Sequence, residues 1–410
     1  MKHLVIILLL WPYQALPKSI NVCATCDVRS IVEAYEAVQP NDTIFIKTGT
    51  YDCVDLVIQK PVVLLGEEGA VLDGQSKSYI LKLLSDSVIV SGIKFINPGR
   101  SYTKDFAAIY VFKSRNFQLL NNEIIDPFFG MLIEKSHEGL ISGNLVHGQF
   151  VREDEAGNGI HAWHCSNLTI ENNEVFGVRD GIYLEFVDES IVQKNYTHEN
   201  VRYGLHFMFS NHDKYEGNTF QDNGAGVAVM FSKFIEMTNN TFIKNWGTAS
   251  YGLLLKEIYD AEVVGNTFTE NTIGIFVEGC TRVNYTNNRL EQNGWAVKVS
   301  GGCYANLFSK NNFLSNSFDV SYNTKMNDNK FEGNYWSSYS GYDLDKNEIG
   351  DVPYRPVKLF SYVVNQTPET IILLRSLFVD IINFSEKVSP VFTPDKLVDN
   401  SPAMTQINYD

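Results

Sequence analysis

Basic residues are in short supply, with 33 Lys and Arg against 48 Asp and Glu and a formal net charge of −15. A chain so acidic lacks the basic face that phosphate neutralisation requires, which excludes nucleic acid as a partner. Cysteine is scarce too, at six in 410 residues, too few for the disulfide scaffold of a small exported module. Beyond the amino-terminal segment no apolar run reaches the roughly 18 uncharged positions of a bilayer span. Heptads are missing, and the polar turns between short apolar runs leave no room for the helix of a βαβ unit. What is present, 44% hydrophobic and 20% charged residues, belongs to a folded, soluble chain.

The first residues, MKHLVIILLLWPYQALPKS, place Lys2 before a short apolar run from Leu4 to Trp11 and reach polar residues by Ser19. This is the pattern of a secretory leader, residues 1–19, and it puts the mature chain outside the cytoplasm. Just beyond it Cys23 and Cys26 form a C-x-x-C, read either as a local disulfide or as a soft-metal or redox pair. Cys280 and Cys303 lie one repeat apart, as neighbours in space would; Cys53 and Cys165 are expected as buried free thiols.

Internal repetition decides the architecture. An Asn in a short polar step recurs at Asn122, Asn144, Asn173, Asn195, Asn218, Asn240, Asn266, Asn288, Asn312 and Asn334, at steps of mostly about 22–24 residues. In phase with it, a Gly opens an alternating strand at Gly130, Gly159, Gly181, Gly204, Gly226, Gly252 and Gly274. No single unit buries its own apolar positions, and stacking the units does. The pattern predicts an all-β chain, a right-handed parallel β-helix over residues 20–340, with the Asn side chains hydrogen-bonded in a ladder at a repeated turn.

Both ends of a solenoid must be closed. SIVEAYEAV, Ser30 to Val38, has helical apolar spacing behind a Ser30/Glu33 capping box and is expected to cover the first coil. NDTIFIKTGTYD, which follows, resembles the opening phrase of pectin-lyase-like β-helices. At the far end, in a loop and linker over 341–365, Asp343, Asp345, Asn347 and Asp351 have the D-x-D-x-N spacing of calcium loops. A structural calcium ion and a plain solvated turn are the two readings. Residues 366–410 are expected to form a helix and tail for partner docking. Thr367 is the cap and Pro368 the first helical residue, and Ile371, Leu374, Phe378 and Ile381 give a stripe too wide for a free helix.

Period two sorts the Gly-led strands into faces. The first and third residues after each Gly are uniformly apolar, as in Leu205 and Phe207 or Val227 and Val229, and form the core. The second and fourth point outward: His161 and Trp163, Tyr183 and Glu185, His206 and Met208, Ala228 and Met230. Consecutive coils therefore stack Trp163, Glu185, Met208 and Met230 about 4.8 Å apart, with His206 about 7 Å from Met208 along its strand. Two thioethers with an imidazole suit Cu(I), with His161 and Glu185 as further ligands. The competing reading is a docking surface in which Met adapts and aromatics such as Trp163 and Tyr183 anchor. A carbohydrate-active β-helix is the alternative enzyme reading. It needs paired carboxylates, and Glu185 and Glu278, four coils apart, do not pair.

The coil phrases VRDGIYLEF, RYGLHFMFSN, GAGVAVMFSK and KNWGTASYGLLLKE, followed by EGNYWSSYSGYDLDKNEIGDVPYRPVKLFS, closely resemble the NosD family. The resemblance covers nearly the whole mature chain. It implies a non-enzymatic periplasmic protein that matures nitrous oxide reductase. Its partners would be an ABC-type ATPase and permease, which hold it at the membrane, and a copper chaperone, together assembling the copper-sulfide centre. It transfers no ligand set.

Overall fold

In a computed structural model of the chain, the described residues are 17–101, 103–150, 152–247, 250–323, 328–388 and 397–409. The short alternating runs become strands of three parallel sheets, with 14, 12 and 13 members, and each strand is hydrogen-bonded to its counterparts one coil before and after. Tyr203–Met208, for example, lies between Asp180–Glu185 and Ala225–Met230, parallel to both. The solenoid is thus the expected one. The predicted leader falls almost wholly outside the described residues. Of its last residues, Ser19 pairs with Thr43 in the first strand, Ser19–Val22.

The interior is the predicted parity: Ile182, Leu184, Leu205, Phe207, Val227, Val229, Leu253 and Leu255 are all buried. The strand-opening glycines stack into a column because a side chain there has nowhere to go. A Cβ on Gly181 would stand 2.6 Å from the Gly204 carbonyl oxygen, and one on Gly204 2.9 Å from that of Gly226.

The asparagine ladder runs unbroken from Asn122 to Asn334. At Asn218 the side-chain oxygen accepts from the backbone N–H (2.9 Å) and amide (3.0 Å) of Asn195, while its own amide donates to Val192 O (2.9 Å) and Asn240 Oδ1 (2.9 Å). The member between Asn288 and Asn334 is Asn311, not Asn312. The residue before each ladder Asn is left-handed, as Gly217 (φ 63°), Asn121 (φ 51°) and Lys310 (φ 53°) show, so Lys310 fixes Asn311 as the ladder residue. Gly and Asn tolerate that region, which is why the repeat so often reads G-N or N-N. A second ladder, unforeseen from sequence, passes through Asn200, Asn223, Asn245, Asn271, Asn293 and Asn316.

At the start, helix α1 (Ile31–Ala37) buries Ile31 and Ala34 and is capped by Ser30 Oγ, which accepts from Glu33 N–H at 3.1 Å. Cys23 and Cys26 form the local disulfide. Cys53, Cys165, Cys280 and Cys303 are free and buried. Cys280 and Cys303 occupy the same turn slot of adjacent coils without bonding.

The far end departs from expectation in three ways. Residues assigned to a linker form helix α2 (Leu359–Gln366), which buries Phe360 and Val364 against Phe318 of the last long strand. The helix expected from Thr367 onward is broken: Pro368–Leu373 is a 3-10 turn without a side-chain cap, and helix α3 runs only over Leu377–Val388. The tail, expected to serve docking, returns to the solenoid. Asp399, fully buried, ends the first ladder by accepting from the N–H groups of Gly333 (3.1 Å) and Asn334 (3.0 Å), the Asn334 amide (3.1 Å) and Trp336 Nε1 (3.0 Å).

One core carboxyl breaks the neutral pattern. Asp213 accepts from Ser190 N–H (2.8 Å) and Tyr215 Oη (3.2 Å), and burial, with Asp188 nearby, pushes it up to about 8. The folded state therefore holds a proton that the unfolded chain releases near pH 4, so Asp213 favours folding at low pH and loses that contribution as pH rises toward 8. The melting temperature of Asp213→Asn relative to the native protein is expected to climb between about pH 5 and pH 8 and to level off above that. A constant difference across that range would contradict a protonated core carboxyl. Asn218→Ala, which strands the two Asn195 donors and a carbonyl, should cost about 2–4 kcal/mol in urea unfolding.

Candidate functional site

The outer face of the 12-stranded sheet carries the predicted stack in register: Trp163, Glu185, Met208, Met230, Lys256 and Glu278. Glu185 and Glu278 are indeed four coils apart, and Glu278 pairs instead with Lys256 at 3.3 Å. The second outward row, His161, Tyr183, His206, Ala228 and Leu254, is equally in register. It is outward without being exposed. His206 is only 6% accessible and Ala228 is fully buried, because residues at the edge of the sheet close over this row.

The edge residues form a buried polar cluster. Asp180, the first residue of its strand, is fully buried and takes two N–H groups of Arg202, from Nε at 2.8 Å and from Nη2. Arg202 also reaches Glu153 at 3.2 Å and lies over the Tyr203 ring. Burial would raise the Asp180 carboxyl, but His206 and Arg202 outweigh it and hold it below the ordinary carboxylate range. His206 Nδ1 lies 3.5 Å from Asp180 Oδ2, an ion-pair separation that falls short of hydrogen-bond geometry, and its Nε2 is buried without a partner.

The two imidazoles and Tyr183 make one column. Tyr183 stacks on His206 with centroids 4.5 Å apart and on His161 at 4.6 Å, and its hydroxyl donates to Met208 Sδ at 3.7 Å. Burial, reinforced by Arg179, lowers His161 to about 4, so it is neutral at neutral pH. Its Nε2 is also buried and unpartnered. Burial, then the charges of Glu185 and Asp180, push Tyr183 up to about 12, so its hydroxyl keeps its proton. The structure thus gathers His161, Tyr183, Glu185, His206, Met208 and Met230 on four adjacent coils. Among the described residues no three His, Cys, Asp or Glu side chains converge as a metal site, which leaves the thioethers as the donors that would complete one.

Sequence reasoning missed Asp180 as a partner of His206, and it missed an aromatic column beside the methionines. His164, Phe186, Phe209 and Phe231 stack at 4.7, 5.0 and 5.2 Å, all near φ 50° and with the three Phe exposed. The signal was present, since an aromatic ring occupies the fifth position after the Gly in HAWH, YLEF, HFMF and AVMF.

The predicted calcium residues lie together in one exposed loop, closed by its own hydrogen bonds. Asp343 accepts from the N–H groups of Asn347 and Glu348, Asp351 from Leu344 N–H, and Asp345 from the Asn347 amide. On the C-terminal elements Leu374 packs on the α2 cluster, whereas Ile371, Phe378 and Ile381 are exposed, with Ile372, Leu377 and Phe384 beside them. No helix among the described residues is long and apolar enough to cross a membrane.

The model of a family described as "Periplasmic copper-binding protein (NosD)" matches residues 85–201 and 146–341. Two curated relatives, each named "Probable ABC transporter binding protein NosD", are similar along most of their length. The Pseudomonas aeruginosa protein is 28% identical over 369 residues, 85% of either chain, and the Stutzerimonas stutzeri protein 26% over 367 residues, 85% of this chain and 83% of its own. Among solved structures, the A-module of the Azotobacter vinelandii mannuronan C-5 epimerase AlgE6 superposes with a TM-score of 0.63 at 13% identity, covering 74% of this chain and 92% of its own. A Yersinia enterocolitica family 28 exopolygalacturonase does so with 0.61 at 12%, covering 78% and 79%. At such identities the likeness to these structures is one of fold.

Proposed function

The chain belongs to the NosD family, and on that footing we propose that it carries copper in the periplasm for assembly of the copper-sulfide centre of nitrous oxide reductase. In this reading copper is cargo, the chain performs no catalytic step, and a copper chaperone and the reductase are its soluble partners. The observation that carries the reading is the adjacency of Met208 and Met230 beside His206, whose buried Nε2 has no partner. Two thioethers and an imidazole are a soft donor set that suits Cu(I) better than hard cations. Glu185 and His161 stand one and two coils from Met208 as secondary donors. The exposed Phe186, Phe209 and Phe231 column gives an incoming partner an apolar edge beside the same methionines.

Cu(I) titration against a competing chromophoric chelator tests this. Met208→Ala/Met230→Ala protein is expected to bind at least about tenfold more weakly, some 1.4 kcal/mol. Unchanged stoichiometry and affinity would remove the methionines from the site.

Attachment to an ABC-type permease and its ATPase is assigned to the exposed face of α3 and the preceding turn. The support is the exposure of five large apolar side chains within 13 residues, Ile372, Leu377, Phe378, Ile381 and Phe384, where an exposed apolar cluster marks an interaction surface. Removing residues 366–410 would also remove Asp399, so point changes are the cleaner probe. Phe378→Asp/Ile381→Asp protein should keep its melting temperature and be lost from the membrane complex on co-purification; retention would contradict the assignment.

A further inference from the structure

We propose that Asp180 is a positioning residue that fixes the tautomer of His206, presenting Nε2 as the imidazole donor for copper, and that Tyr183 caps the Met208 sulfur until copper displaces it. The inference rests on the copper-carrying reading above and adds to it how the site is prepared.

A fully buried carboxylate is costly unless its charge is used. Two of the groups facing Asp180 are accounted for by the N–H donors of Arg202. The remaining direction leads to His206 Nδ1 at 3.5 Å. The imidazole is held between Tyr183, nearly parallel to it at 14°, and Tyr203 at 4.9 Å, with Nδ1 the ring nitrogen that faces the carboxylate. A carboxylate at Nδ1 places the proton of the neutral ring there and leaves the lone pair on Nε2. That nitrogen is buried with nothing to bond. Such an orphan is destabilising in a structural residue and is what a ligand requires.

The sulfur side is complementary. The Tyr183 hydroxyl donates to the Met208 Sδ lone pair at 3.7 Å while the same ring covers His206. One side chain therefore shields both donors, and copper must break its weak O–H···S contact to enter.

The experiment uses the full chain. With 15N-labelled histidine and no metal, NMR should show the His206 proton on Nδ1, and Asp180→Asn should move it toward Nε2. Asp180→Asn should also weaken Cu(I) binding about 10–100-fold, the range for loss of a partner that orients a ligand. Tyr183→Phe, which leaves the packing in place, should tighten Cu(I) binding about two- to tenfold by freeing the sulfur. An Nε2–H tautomer in the native protein, or native affinity in folded Asp180→Asn, would overturn the positioning role. Native affinity in Tyr183→Phe would overturn the cap. If Asp180→Asn fails to fold, the native tautomer and the Tyr183→Phe affinity still decide. Failure of the native protein to bind Cu(I) would defeat the copper reading itself, a result separable from the tautomer, which is measured without metal.

Discussion

A parallel solenoid has no hairpins, so every bend between its sheets carries backbone polar groups past the core, and the stacked asparagine amides are what satisfy them. Each ladder member accepts from the coil before it, donates to the coil after it, and ties down a carbonyl of an earlier strand. The ladder depends on an invariant position for the Asn within each turn, and the left-handed residue before it provides that position. Coil lengths vary, with ladder neighbours 22, 23, 26 or 29 residues apart, yet the turn register is kept because extra residues are accommodated elsewhere. With the turns locked, strand register follows, and with it the alignment of Glu185, Met208 and Met230 on successive coils.

That alignment explains how a site can be built on a repetitive fold. Repetition supplies columns of equivalent positions, and a site arises where neighbouring columns change chemistry together. Across the coils of Gly159, Gly181, Gly204 and Gly226, one outward column turns from Trp to Glu to Met, the next alternates His, Tyr and His, and the turn beside them becomes aromatic. Outside this region the same columns hold Lys298 and Ser300, in register with Phe276 and Glu278. The donors differ in softness and in burial: thioethers half-buried, imidazole enclosed. A ligand entering there passes from an apolar edge to a polar, water-poor interior, which strengthens the electrostatic influence of Asp180 and Arg202 on whatever His206 holds.

The fold was legible in the sequence because a solenoid writes its contacts as a period, so Asn and Gly spacing and strand parity carry the tertiary information directly. Burial at the outer face was not legible. Parity placed His206 outside the core correctly, but nothing in GLHFM reveals that Asp180 and Tyr203, one coil back and three residues back, lie against it. The Asn311/Asn312 ambiguity arose because the motif was aligned by its second Asn, while the turn is set by the left-handed residue, here Lys310. The broken C-terminal helix has a similar cause. Pro368 opens a 3-10 turn, and the apolar residues after it do not share one face because Leu374 is drawn into the α2 cluster while Ile372 faces out.

The carboxy-terminal end must do two things that pull in opposite directions. A closing element has to be apolar toward the solenoid and polar outside, whereas a docking element must keep apolar surface exposed. The chain separates the tasks along its length. α2 closes the 12-stranded sheet through Phe360 and Val364, and the tail closes the asparagine ladder through Asp399, a carboxylate with five donors and so the right group to end a column of acceptors. α3 adds the buried Val379 to the same cluster and turns Phe378, Ile381 and Phe384 outward. α3 is thus anchored through one face while another stays exposed, the arrangement on which the proposed permease attachment rests.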